Sequence, residues 1–144
     1  MEPFWHRTDV QPRFRDTDAM GHVNNAVYLT YLEVARQAYW EHVAPEVPYD
    51  QVPYVMGRAT LEFLSPARLG DALEVCQHVA WMSRSSFAIE SEIRDKNTAR
   101  LLLHATCVVV TYSYAERRSI PIPAWLRAAV EKAERRPLPA KPAA

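Results

Sequence analysis

Residues 13–39 read RFRDTDAMGHVNNAVYLTYLEVARQAY. The first half gathers Asp16, Asp18, His22, Asn24 and Asn25 within residues 16–25, a density of polar groups that neither strand nor helix periodicity explains. The second half, from Ala26 to about His42, contains no Gly or Pro. Its polar positions Thr30, Glu33, Gln37 and Glu41 are spaced three or four apart, so they form one stripe on a helix. Nearly everything else there is apolar, which predicts a helix buried on several sides, as when a curved sheet wraps around it. A helix start leaves about four backbone N–H groups without partners and carries roughly half a positive charge. Asn24 and Asn25 are both competent caps for it. The junction between the polar run and the helix is therefore the candidate active site.

Outward from this stretch the chain reads as strands. Val55, Gly57, Ala59, Leu61 and Phe63 alternate with Tyr54, Met56, Arg58, Thr60 and Glu62, the period of a half-buried strand. Over residues 72–82 the inward set is Leu73, Val75, Val79 and Trp81, with Glu74 and His78 outward; over 85–94 it is Phe87, Ile89 and Ile93. Residues 99–114 are apolar on both faces, which predicts an interior strand covered on both sides. SPARLGD, the polar residues 83–85 and DKNT are turn signals between these runs. Short links favour antiparallel pairing. Residues 7–15 supply a first strand with an edge or bulge at Pro12. Pro121 and Pro123 lead into a short amphipathic helix that Pro137 stops. The order predicts an α+β fold, an antiparallel sheet of about five strands around a central helix. Residues 1–136 form one domain in this reading, and the Pro/Ala-rich residues 137–144 a disordered tail.

Composition narrows the function classes. A chain of 144 residues suits one core. Seventeen basic and seventeen acidic residues leave no net charge, so no global field attracts nucleic acid or an anionic membrane. No apolar run reaches membrane-spanning length, and His6, Arg7 and Asp9 interrupt the apolar start that a signal peptide needs; the expectation is a soluble cytoplasmic protein. Cys76 and Cys107 lack metal or redox spacing and read as buried, reduced core residues. His6, His42, His78 and His104 also lack ligand spacing, so neither a metal nor a cofactor is predicted. No GxSxG elbow surrounds Ser85 or Ser86, and three glycines make no phosphate-cradling loop.

The segment DTDAMGHVNNAVYLTYLEVAR resembles the signature of hot-dog-fold acyl-CoA thioesterases of the hydroxybenzoyl-CoA thioesterase type, and SPARLGD, RSSF and IPIPAWLR continue the likeness. The resemblance implies a hot-dog fold and a homodimer or homotetramer with active sites between chains. It further implies that Asp18 is the catalytic carboxylate and that the Asn25 backbone N–H polarises the thioester carbonyl. His22 and Asn24 match the HVNN of many relatives, where the histidine is part of the catalytic group. Met20 stands where plant acyl-carrier-protein thioesterases have an asparagine, so Asp18 ranks above His22.

The chemistry is consistent with so few groups. A thiolate leaving group, with a thiol pKa of about 8.5, departs without strong acid assistance. Hydrolysis then needs a carboxylate acting as base or nucleophile and donors for the developing oxyanion. Asp16 reads as a turn residue, and Glu33 with Arg36 as a structural pair one helical turn apart. Tyr28 is a candidate for the acyl pocket; Arg84, Ser85 and Arg117 or Arg118 are candidates for the phosphates of coenzyme A. The substrate is predicted to be an acyl-CoA or an acyl-carrier-protein thioester. The rival classes are a hot-dog dehydratase and a non-catalytic acyl-thioester binding protein.

Overall fold

A computed structural model describes residues 3–143. Met1 and Glu2 of the predicted domain and Ala144 of the predicted tail lie outside the described residues. The elements run β1 (His6–Val10), α1 (Val27–Val43), β2 (Tyr54–Phe63), β3 (Leu73–Met82), β4 (Ser86–Asp95), β5 (Leu101–Ser113), β6 (Arg118–Ser119) and α2 (Ala124–Glu134). All strand pairs are antiparallel, in the order β1-β3-β4-β5-β2, with β6 beside β5. This is the α+β, sheet-around-helix layout that the alternation predicts.

The sheet curls around one face of α1. Tyr28, Tyr31, Leu32, Ala35, Arg36, Tyr39 and Trp40 are buried, whereas Thr30, Glu33, Gln37 and Glu41 form the expected exposed stripe. Leu29 and Val34, each 46% exposed, widen that stripe. The helix is thus open along one side rather than covered nearly all round. Two core clusters lie end to end along it. One joins Tyr28, Tyr31 and Leu32 to Leu73, Val75, Ile93 and Leu103; the other joins Tyr39 and Trp40 to Phe87, Val109, Leu126 and Val130 of α2. The first cluster lies directly beneath the polar loop, so burial of the first turns of α1 fixes the loop that precedes them.

β3 and β4 follow the predicted alternation in their inward sets, with Leu73, Val75, Val79, Trp81, Phe87, Ile89 and Ile93 all buried, but the intervening Cys76 and Ala88 are buried as well. Two strands depart from it. β5 is interior, yet Val108 and Val110 on its outer face are only half-buried, because no layer covers that side. β2 is the edge of the sheet, and residues 56–60 are all exposed. Its register shifts between Met56 and Arg58. A Cβ at Gly57 would stand 3.1 Å from Val110 Cγ2, so the glycine lets the bulged edge lie against β5.

The chain ends also differ in detail from the prediction. β1 stops at Val10, and a single 3-10 turn, Phe14–Asp16, fills the rest of the predicted first strand. After α2 the tail lies against the sheet: Met82 N–H donates to Pro139 O at 2.9 Å, Lys141 N–H to Ser83 Oγ at 3.1 Å, and Leu138 packs on the second cluster. A buried carboxylate anchors α2 just before it, where Glu134 accepts from Tyr39 Oη at 2.8 Å and Val79 N–H at 3.0 Å. Cys76 and Cys107 are buried and not joined in a disulfide, in line with the reduced core residues expected.

Candidate active site

Two short bridges shape the polar loop. Thr17 pairs with Val23, and His22 pairs with Arg68 of the loop after β2. Val23 N–H donates to Ala67 O at 2.8 Å, so the segment before α1 is stitched to the SPARLGD segment. Gly21, at φ +77°, supplies the left-handed residue that closes the turn.

Asp18 is held through one oxygen. Its Oδ1 accepts from Met20 N–H at 2.8 Å and His22 N–H at 3.2 Å, an aspartate-closed turn. Its backbone N–H donates to His22 O, and its carbonyl accepts from Gly21 N–H. Oδ2 has no partner among the described residues, so half of the carboxylate is fixed by the loop and half is free for water or substrate.

The helix start is capped one step away from where the asparagines alone suggest. Ala26 occupies the cap position. Asn24 Oδ1 accepts from Ala26 N–H at 2.9 Å, and Asn24 O accepts from Val27 N–H at 2.9 Å. Asn24 therefore satisfies two of the exposed donors and leaves the Asn25 N–H without a partner among the described residues. Asn25 and Asp18 line one cleft of about 340 Å³, with His22, Tyr28 and residues 63–66 as further walls. The arrangement can hold an electrophilic carbonyl with its oxygen toward amide protons and its carbon toward a carboxylate.

Asp16 has a different part. It is 4% exposed and accepts from Arg13 N–H at 2.9 Å and Tyr31 Oη at 2.7 Å. Burial alone would push its carboxyl pKa up, but the Arg13 N–H, the Tyr31 hydroxyl and the Arg13 guanidinium outweigh it, so the carboxyl sits below its ordinary value. It is a buried strut of the loop, as its turn reading implies in kind. Arg36 and Glu33 form the expected pair, with Arg36 buried and Glu33 also accepting from Tyr49 Oη.

The other candidates fall elsewhere. Ser85 O accepts from Thr111 N–H, Arg84 O accepts from Ile122 N–H, and Arg117 lies in the turn after β5. Phe63 at the cleft pairs with Leu103, whereas Ser86 pairs with Val110. Seven residues of strand separate those two points, roughly 24 Å. Within one chain the structure does not bring Arg84, Ser85 or Arg117 to Asp18. It brings residues 63–66 instead, which the sequence marks as a strand end and the start of the SPARLGD turn but not as part of the site. Two further cavities, of about 350 and 660 Å³, lie near Arg36 and near Trp5, away from Asp18.

Comparison with known proteins converges on one family. The profile of the thioesterase-like superfamily matches residues 12–130. The chain is 31% identical over 107 residues to the acyl-CoA thioester hydrolase YbgC of Escherichia coli, covering 72% of this chain and 78% of that one. It is 26% identical over 126 residues to the chloroplastic acyl-acyl carrier protein thioesterase ATL3 of Arabidopsis thaliana, covering 85% and 66%. Among solved structures, a thioesterase from Thermus thermophilus complexed with coenzyme A and Zn superposes with a TM-score of 0.86 at 33% identity, over 96% of this chain and all 100% of that one. A 1,4-dihydroxy-2-naphthoyl-CoA thioesterase from Synechocystis shares the fold, with a TM-score of 0.79 at 23% identity over 87% and 94%.

Proposed function

This chain belongs to the thioesterase-like superfamily and is a thioester hydrolase with a hot-dog fold, and from that premise we propose that it hydrolyses an acyl-CoA to the free acid and CoA-SH at the Asp18 cleft. The observation that carries the proposal is that Asp18, with one carboxylate oxygen unpartnered among the described residues, lines the same cleft as Asn25, whose N–H is likewise unpartnered there. The thioester oxygen accepts from the Asn25 N–H at the positive end of α1, where negative charge develops as the carbonyl is attacked. Asp18 either takes a proton from water as that water adds to the carbonyl carbon, or adds directly to give an anhydride that water then opens. In both routes the C–S bond breaks and sulfur leaves as thiolate, which takes up a proton from solvent. His22 lines the same cleft and positions water or substrate, and Asn24 holds the helix start in place.

Homo-oligomerisation belongs to the same reading. β2 leaves an unpaired edge, and Met56, Phe63 and Leu64, between 40% and 52% exposed, present apolar surface along it. A second copy covering that edge would also carry its own Arg84, Ser85 and Arg117 to a cleft they do not reach within one chain.

Thiol release from a panel of acyl-CoA and acyl-carrier-protein substrates tests the proposal. Asp18→Asn should lower kcat by roughly 10²-fold or more. Undiminished turnover in that variant removes Asp18 from the mechanism, and saturable binding with no turnover in the native chain removes hydrolysis itself.

A further inference from the structure

Tyr28 is the second residue of α1, and its side chain is only 2% exposed although it forms one wall of the cleft. Long side chains on a helix lean toward its N-terminus over the preceding turn. The Tyr28 ring follows that rule and reaches the stitched loops. Its Oη accepts from Ala67 N–H at 3.2 Å, and the same residue's carbonyl accepts from Val23 N–H at 2.8 Å. Edge contacts to Phe63 and Tyr31, with ring centroids 5.8 and 6.1 Å away, hold the ring in that pose. The phenol oxygen is thus used as an acceptor, while its proton meets no acceptor among the described residues. A buried donor left without a partner is costly, and the open volume beside this one is the cleft that holds Asp18.

We propose that the Tyr28 hydroxyl donates a hydrogen bond to the carbonyl oxygen of the bound thioester, as a second oxyanion donor beside the Asn25 N–H. This rests on the hydrolase reading and adds to it a residue that touches the reacting atoms. Two other placements of the proton are less consistent with the surroundings. Burial, helped by the Asp71 and Asp18 carboxylates, pushes the phenol pKa up against the opposing pull of Ala67 N–H and Arg100, so the group keeps its proton at neutral pH. A phenol that holds its proton so firmly is a poor acid for a thiolate whose conjugate thiol has a pKa of about 8.5. A purely structural hydroxyl would need its proton bonded within the protein, and no acceptor for it stands among the described residues.

The test compares the native chain with Tyr28→Phe on two thioesters of one acyl group, an acyl-CoA and the corresponding thiophenyl ester. Donation to the carbonyl predicts that kcat falls roughly 10²-fold on both, with KM little changed. A fall confined to the acyl-CoA, whose leaving group is the poorer one, would move the proton to sulfur and overturn the proposal. So would an unchanged kcat in a variant that only melts earlier. If Tyr28→Phe does not fold, 3,5-difluorotyrosine at position 28 keeps the ring and the hydroxyl. Its kcat should then decline through the pKa of the fluorinated phenol, and a flat profile there overturns the assignment. Thiol release by the native chain is the control that separates the two claims: without it the hydrolase reading fails and the donor role goes with it, whereas with it only the Tyr28 result counts.

Discussion

The hydroxyl of Tyr31 donates to the buried carboxylate of Asp16 across 2.7 Å, joining the second turn of α1 to the loop that carries Asp18. Asp16 O also accepts from Asn24 N–H at 2.8 Å, so the same residue braces both ends of the candidate site. The loop that carries Asp18 is consequently tied to the helix it precedes.

Tyr31→Phe keeps the ring in the first core cluster and removes this bond. A hydrogen bond to a charged group contributes about 1.5–3 kcal/mol, and that loss is expected at pH 7. The sign with pH follows from the lowered carboxyl pKa of Asp16. The stabilisation is complete above the unfolded value, about 3.9, and is lost as pH falls through the lower folded value. Denaturant unfolding curves of the two proteins should therefore stand apart at neutral pH and converge below about pH 4. A constant gap down to acid would show that the hydroxyl acts through packing alone.

Part of this architecture is visible in the residue pattern, and the boundary is physical. The alternation in β3 and β4 predicts their inward sets because both strands lie inside the sheet order, although Cys76 and Ala88 at the intervening positions are buried as well. The same alternation in β2 overstates burial, since an edge strand with an unpaired side exposes both faces over residues 56–60. In the site, Asp18, His22 and Asn25 come together because they lie within eight residues of one turn. Residues 63–66 reach the cleft through tertiary contacts, the His22 to Arg68 bridge and the bonds of Ala67 to Val23 and Tyr28, which leave no local signal. The partner of Asp16 is likewise fifteen residues away.

The tail offers a second measurement. Pro137 stops the helix, as its lack of an N–H requires, but Pro139 O then takes the Met82 N–H and Leu138 covers part of the second core cluster. Deleting residues 137–144 removes two hydrogen bonds, Met82 N–H to Pro139 O and Lys141 N–H to Ser83 Oγ, and one apolar contact, each worth at most about 1 kcal/mol. A loss of roughly 1–2 kcal/mol in unfolding free energy is expected, with activity retained because Asp18 lies at the other end of α1. Unchanged stability would restore the picture of an unattached segment.

The adjacent asparagines are expected to behave differently although both border the site. Asn24 acts through its side chain, since Oδ1 holds Ala26 N–H at 2.9 Å and keeps that donor away from the cleft. In the proposed mechanism Asn25 acts through its backbone N–H, and its side chain makes no hydrogen bond among the described residues. Asn24→Ala should cost about 1 kcal/mol of stability, the usual worth of a lost hydrogen bond, and should lower kcat as the first turn loosens around the proposed oxyanion donor. Asn25→Ala should leave stability within about 0.5 kcal/mol of native and kcat within a fewfold, because the N–H survives the substitution. Replacing Asn25 by proline removes that N–H. It should cut kcat by roughly 10²-fold or more, the effect of deleting one oxyanion donor. The order native, Asn25→Ala, Asn25→Pro in kcat thus separates the backbone from the side chain. Near-equal losses for alanine and proline would transfer the role to the side-chain amide.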